Sequence, residues 1–394
     1  MRNVYLDNNA TTQVAPEVCE VMTPLFETFW GNPSSMHTFG GQVMKHIDQA
    51  REQVAALFNA DPSEIIFTGC GTESDNMAIR GAVEAFGGYP HIITTRVEHP
   101  AVMAPCRYLA SRGCRLTELA VDSKGRLDLD DLKRALRPET AIVSIMWANN
   151  ETGVIFPIQE IADIVKQTGC VFHTDAVQAA GKVPIDVKKT PIDTFSISGH
   201  KLHAPKGIGV LYVRKGTKIN PLLLGGHQEG GKRAGTENVP YIVGLGRACE
   251  LALENMKDEN VRVKALRDRL EEGILASCPD VRVNGDREHR LPNTTNISFE
   301  FIEGEAILLL MDQYGIAASS GSACTSGSLE PSHVMRAMGV PFTAAHGSIR
   351  FSLSRYNTQA DVDHVLKHLP PLITRLRELS PFVPKEKPAS KVKV

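Results

Sequence analysis

The sequence predicts an α/β fold: a large domain on a mainly parallel sheet of the seven-stranded type, joined to a smaller α+β domain. Three observations lead there. Strand-like and helix-like patterns alternate through the first two thirds of the 394 residues, the arrangement that covers a parallel sheet with helices. Polar residues of unusual type (Thr72, His99, Asn150, Asp175 and Lys201) fall at the ends of those strand runs, where parallel sheets hold their sites. Around Pro240 the alternation gives way to one long helical stretch followed by mixed elements.

Taken in order, the apolar run 64–68 is a strand, followed by a glycine turn and a helix over 73–85. A strand over 91–95 ends near His99, and a helix over 100–112 follows. The run 141–147 is a strand ending in Asn149-Asn150-Glu151, 158–167 is a helix, and 171–174 is a strand ending at Asp175. The strand 193–197 leads into Lys201, and 209–213 is another. Beyond Pro240 a helix spans 241–277, although Gly244 and Gly246 weaken its start, because glycine costs about 1 kcal/mol against alanine inside a helix. Strands at 281–283 and 294–299, a helix at 305–314, a Gly/Ser loop holding Cys324, a short helix at 333–338, a strand at 348–354 and a helix at 359–379 complete the pattern. The expected division is a large domain over 15–258, a small domain from 1–14 and 259–380, and a disordered tail over 381–394, rich in Pro and Lys.

Composition excludes several classes. Hydrophobic content of 42% and charge of 22% suit a globular enzyme, and a chain this long buries enough surface to need no staples. A formal net charge of −2 with scattered basic residues argues against nucleic acid. The densest apolar run, 306–311, is too short to span a bilayer, and residues 1–10 resemble no targeting segment. A soluble, cytoplasmic protein without nucleic-acid or membrane partners is expected. None of the eight cysteines forms a C-x-x-C pair, which fits a reducing compartment and argues against zinc knuckles. Cys324 stands apart, because its neighbours are Gly, Ser, Thr and Ala and nothing nearby would bury it.

The stretch Ser198-Gly-His-Lys201 carries the chemistry. A lysine at a buried strand end is desolvated, which lowers its pKa and frees the amine to condense with an aldehyde. Ser198 and His200 could hold an anion beside it. Together they suggest an aldehyde cofactor that carries a phosphate, pyridoxal phosphate. The turn Gly69-Cys-Gly-Thr-Glu-Ser74 fails as a dinucleotide fingerprint and as a P-loop. It still opens a helix whose first amides, with Gly71 and Thr72, attract phosphate. Asp175 either bonds a protonated pyridine nitrogen or caps the next segment, and Gln178 could reach the same ligand. His99 suits stacking or proton transfer. Arg350, among apolar strand residues, either clamps a substrate carboxylate or pairs internally.

These residues resemble the NifS/IscS-type cysteine desulfurases, fold-type I pyridoxal-phosphate enzymes of the class-V aminotransferase family. The matching pieces run from Tyr5-Leu-Asp-Asn-Asn-Ala-Thr-Thr12 through Gly71-Thr-Glu-Ser-Asp-Asn76, Glu98-His-Pro100, Asn149-Asn-Glu-Thr-Gly153 and His173-Thr-Asp-Ala-Val-Gln178. They continue with Ser198-Gly-His-Lys201, Arg233-Ala-Gly-Thr-Glu-Asn238 and Ser319-Ser-Gly-Ser-Ala-Cys324. The resemblance implies that Lys201 binds the cofactor covalently and that Asp175 holds the ring nitrogen. Gln178 would hold the ring oxygen, with Asn150 near ring and substrate and His99 stacked on the ring. Gly71, Thr72, Ser198 and His200 would bind the phosphate, with Thr236 reaching the phosphate of a partner subunit in a homodimer. Arg350 would anchor the carboxylate of L-cysteine. Cys324 would take the sulfur as a persulfide, with a transient iron–sulfur contact there, and donate it to an iron–sulfur scaffold protein. Cys324-Thr-Ser-Gly-Ser-Leu-Glu-Pro-Ser-His333 resembles the branch that serves nitrogenase. The rival functions are a selenocysteine lyase, an aminotransferase, and a non-enzymatic iron–sulfur scaffold.

Overall fold

The computed structural model describes residues 2–320 and 331–382. Cys324, and all but the first two residues of the tail expected at 381–394, lie outside the described residues.

The strands are β1 (Val4–Tyr5), β2 (Ile65–Thr68), β3 (His91–Thr95), β4 (Arg115–Leu119), β5 (Thr140–Ser144), β6 (Val171–Asp175), β7 (Thr194–Ser198), β8 (Gly209–Val213), β9 (Val281–Val283), β10 (Thr294–Phe299), β11 (Ile316–Ala317) and β12 (Ser348–Ser352). Seven of them form one sheet in the order β2-β8-β7-β6-β5-β3-β4. Only β8 runs against the rest, pairing antiparallel with β2 and β7. The expected mainly parallel, seven-stranded sheet is therefore present. β12, β10 and β9 make an antiparallel sheet, and β1 pairs with β11 in parallel.

The helices are α1 (Pro16–Met22), α2 (Pro24–Glu27), α3 (Thr38–Phe58), α4 (Gly71–Phe86), α5 (Pro100–Ser111), α6 (Leu129–Ala135), α7 (Ile158–Lys166), α8 (Val239–Ser277), α9 (Gly304–Asp312), α10 (His333–Ala337), α11 (Phe342–His346) and α12 (Gln359–Leu379). No helix among the described residues is long and apolar enough to cross a membrane.

Sequence reading missed α3 and β4. The signal for α3 is present. His37 caps it by accepting from the Gly40 amide, and Val43, Ile47, Ala50, Val54 and Phe58 recur at helical spacing and are buried. β4 is a half-exposed edge strand that carries Arg115 and Glu118, so its apolar signal is weak. The strand expected at 141–147 ends at Ser144, but the Ile145 and Trp147 amides go on bonding to the His173 and Asp175 carbonyls of β6 (3.1 and 2.8 Å).

α8 joins two cores. Its buried positions from Val239 to Ala252 pack under the large sheet, and those from Val263 to Ile274 pack with β10, β12 and α12. Gly244 and Gly246, expected to weaken the helix, instead allow close packing. A Cβ on Gly246 would lie 2.6 Å from Ala50 Cα of α3, and one on Gly244 would lie 2.6 Å from Met22 Sδ of α1.

Candidate active site

The carboxyl ends of β2, β3, β5, β6 and β7 open on one cavity of about 410 Å³. Its wall includes Gly71, Thr72, His99, Asn150, Asp175, Gln178, Ser198, His200, Lys201 and Arg350. Ten of the twelve residues expected at the site from sequence are thus brought together. Thr236 is not among them: it lines a separate, smaller cavity with Gly69, Arg233 and Asn238. Cys324 lies outside the described residues.

The apolar run of β7 ends at Ser198, and a short 3₁₀ turn, Gly199–Lys201, carries the lysine over the sheet edge. There Lys201 Nζ donates to the carbonyls of Asn9 and Ala10, each at 2.6 Å. Two carbonyls aimed at one amine fix its position above the strand ends. Asp175 closes β6, and one of its oxygens accepts from the Val177 amide at 2.9 Å. Burial pushes its carboxyl up to about 6, against the lowering effect of that amide and of Lys201.

His99 caps α5, its Nδ1 accepting from the Ala101 amide at 3.1 Å. Burial, with Lys201 and His333 nearby, pushes the imidazole down to about 4, so it is neutral at physiological pH. An accepting Nδ1 places the proton of the neutral ring on Nε2. In this arrangement His99 offers a face and an N–H donor, not a base. His200 is likewise driven down to about 4, first by burial and then by Lys201, and its Nδ1 lies 3.2 Å from Thr11 Oγ1.

α4 begins at Gly71, two residues before the expected start, so its amino end itself faces the cavity. A Cβ at Gly71 would sit 3.0 Å from Val177 Cγ2 and 3.3 Å from Ser198 Cβ, which leaves that cradle to glycine. The acid of the first turn, Glu73, is turned away and held by Arg233 (2.7 Å) and the Gly69 amide (2.7 Å). The positive end of the helix is left to an anion.

Arg350 Nη1 donates to the Asn150 carbonyl (3.0 Å) and Nη2 to Asp7 Oδ1 (2.6 Å), while its buried Nε has no partner among the described residues. Arg350 is thus ion-paired internally and also faces the cavity.

Asn9 was missed as a site residue. Its carbonyl accepts from Lys201 and from Gln178 Nε2 (2.9 Å), and its side chain donates to the Asn150 carbonyl and Thr294 Oγ1 and accepts from Asn293. The available signal was the polar run Asp7-Asn8-Asn9 directly after Val4-Tyr5-Leu6.

The donor set fits pyridoxal phosphate. It offers a poised amine, a buried carboxylate, a helix amino end opened by glycine, and a buried Gln178 Oε1 with no partner among the described residues.

Comparison with known proteins agrees. The family described as Aminotransferase class-V matches residues 4–365. A cysteine desulfurase of Nostoc sp. is 61% identical over 97% of this chain and 96% of its own length. The cysteine desulfurase NifS of Azotobacter vinelandii is 59% identical over 97% and 95%. A solved NifS-like protein superimposes with a TM-score of 0.90 at 40% identity, covering 95% of this chain and all of its own.

Proposed function

Because the chain belongs to the class-V aminotransferase family, and within it is a pyridoxal-phosphate-dependent cysteine desulfurase, we propose the following division of labour among its residues. The observation that carries it is the single cavity holding Lys201, Asp175, the amino end of α4 and Arg350.

Lys201 anchors the cofactor. Asp175 would hold its ring nitrogen, Gln178 and Asn150 its ring edge, and His99 one ring face. Gly71, Thr72, Ser198 and His200 hold its phosphate. When bound, the cofactor supplies an electron sink for charge developed at the substrate Cα. Arg350 orients the substrate carboxylate by its bidentate fork, already aimed by Asp7 and Asn150. The Lys201 amine removes and returns the proton at Cα. His99, neutral and protonated on Nε2, holds a proton that it can donate and does not act as a base. Cys324 takes the sulfur as its thiolate. The substrate Cβ–S bond breaks, an S–S bond forms, and L-alanine leaves with the protons that balance a Cys324 persulfide.

The proposal extends to a homodimer, a small-domain boundary near 258–259 in α8, and an iron–sulfur scaffold as acceptor in a nitrogenase-related role. The dimer is supported by the exposed Trp30, Met36, Phe39 and Leu224 and by Thr236 lying outside the cavity. Support for the boundary is the gap between the α8 positions that serve the two cores.

The test is product analysis with L-cysteine. Wild type yields L-alanine and a sulfur adduct on the Cys324 peptide, Lys201→Ala loses both and the cofactor absorbance, and Cys324→Ala keeps the absorbance. Undiminished persulfide sulfur from Cys324→Ala would remove that residue from the scheme.

A further inference from the structure

Two quoted motifs contain titratable residues with no role so far: Asp75 in Gly71-Thr-Glu-Ser-Asp-Asn76 and His173 in His173-Thr-Asp-Ala-Val-Gln178. The fold brings them together beneath the cavity. Asp75 projects from the first turns of α4, is 1% exposed, and lines the same cavity as Asp175. His173, fully buried on β6, bonds Ser144 of β5 through Nδ1 (2.8 Å) and Ser196 of β7 through Nε2 (3.1 Å). Its Nε2 is 3.5 Å from Asp75 Oδ1, beyond a good hydrogen bond, and that oxygen has no partner.

We infer that Asp75 is held as the neutral acid, so that the cavity floor carries one negative charge and that charge is on Asp175. Asp75 is then a positioning residue: it fills the floor beside Asp175 without competing for a cation.

A buried carboxylate survives only with a cation or several donors, whereas Asp75 has the single hydroxyl of Ser196 against one oxygen and no partner among the described residues for Oδ1. The groups that face it are Asp175 and His173 from β6, Ser196 from β7, Glu98 beyond β3, Cys106 of α5, and Cys70 at the head of α4. None is a cation. His173 is neutral, because burial pushes it down to about 3. Glu98 is pushed up to about 8 by burial, despite bonds from Thr95 and the Met146 amide. Burial and then the Asp175 charge raise Asp75 well above the usual carboxylate range. Two carboxyls in one low-dielectric site cannot both ionise near neutral pH. Asp175 takes the charge because it accepts from the Val177 amide and is favoured by Lys201, whereas the donor at Asp75 is the neutral Ser196 hydroxyl.

The consequence for the reaction rests on the assignment of Asp175 to the ring nitrogen, whereas the protonation state of Asp75 does not. The test is infrared difference spectroscopy of the apoprotein, for wild type, Asp75→Asn and Asp175→Asn, across pH. At pH 7 the wild-type minus Asp75→Asn spectrum should show one protonated-carboxyl band, the Glu98 acid cancelling between them. The Asp175 titration should stay within about 0.3 unit in Asp75→Asn, since one neutral group replaces another. Loss of an ionised rather than a protonated band, or a fall of about one unit or more in the Asp175 midpoint, overturns the inference. If Asp75→Asn does not fold, Asp175→Asn reads the same coupling from the other side. The Asp75 midpoint must then fall by about one unit or more, and an unmoved midpoint overturns the inference. Cofactor affinity separates the two readings. Unchanged affinity in Asp175→Asn removes the ring-nitrogen assignment and leaves the band assignment intact.

Discussion

Replacing Asp175 by Asn should stabilise the apoprotein while weakening its hold on the cofactor. The carboxyl titrates near 6 rather than at its ordinary 3.8, chiefly because it is buried. A folded-state value above the unfolded one means that the native state binds a proton more tightly than the unfolded state. By linkage, stability then falls as pH rises between the two values and stays low above the folded one. The interval from 3.8 to about 6 corresponds to about 3 kcal/mol lost above pH 6. Asparagine is never charged, and its Oδ1 can still accept from the Val177 amide, now at 2.9 Å.

Urea unfolding of both apoproteins at 25 °C checks this. At pH 8 the variant should be the more stable by up to about 3 kcal/mol. The difference should shrink as pH falls through 6 and vanish below about 4. With saturating cofactor the order should reverse, because only the wild type gains full binding energy. A variant less stable than wild type at pH 8, or a difference independent of pH, would refute the claim that Asp175 is kept charged at a cost to the fold.

Arg350→Lys should raise KM for L-cysteine about 10- to 100-fold, the equivalent of about 1.5–3 kcal/mol for a charge-assisted bond. A point charge cannot reproduce a fork already aligned by Asp7 and Asn150, and steady-state kinetics read the effect directly. Gly246→Ala should destabilise the protein by about 1–3 kcal/mol, since its Cβ would meet Ala50 Cα at 2.6 Å. Gly41→Ala on the open face of α3, with nothing within 4 Å, should stabilise by about 0.5–1 kcal/mol, and urea unfolding reads both changes. The pH–rate profile should show no inflection near 6.5 from His99, which is neutral above about 4. An inflection there that disappears in His99→Gln would contradict the assigned tautomer.

The strand ends were readable from sequence because parallel strands declare themselves by apolar runs, and a polar residue ending such a run is conspicuous. Lys201, Asp175 and His99 were found that way, and the fold places all three on one cavity. What could not be read were relationships across the chain. Asn9 is a hub only because residues near 150, 178, 201 and 294 converge on it. Locally it is one polar residue in a run of three. Asp75 looks like an ordinary polar residue near a helix start until the packing of α4 on β6 and β7 buries it beside Asp175 and a neutral His173.

Arg350 shows why residue type alone leaves such questions open. From sequence, a substrate clamp and an internal ion pair stood as alternatives. The guanidinium geometry allows both, because it has five donors in a rigid plane. Asp7 and Asn150 take two of them and lock the side chain, so its orientation is set before any substrate arrives and less entropy is lost on binding. In the proposed role, the internal pair is the means by which the clamp would be aimed. The buried Nε, still without a partner, marks where further hydrogen bonding is left to be satisfied.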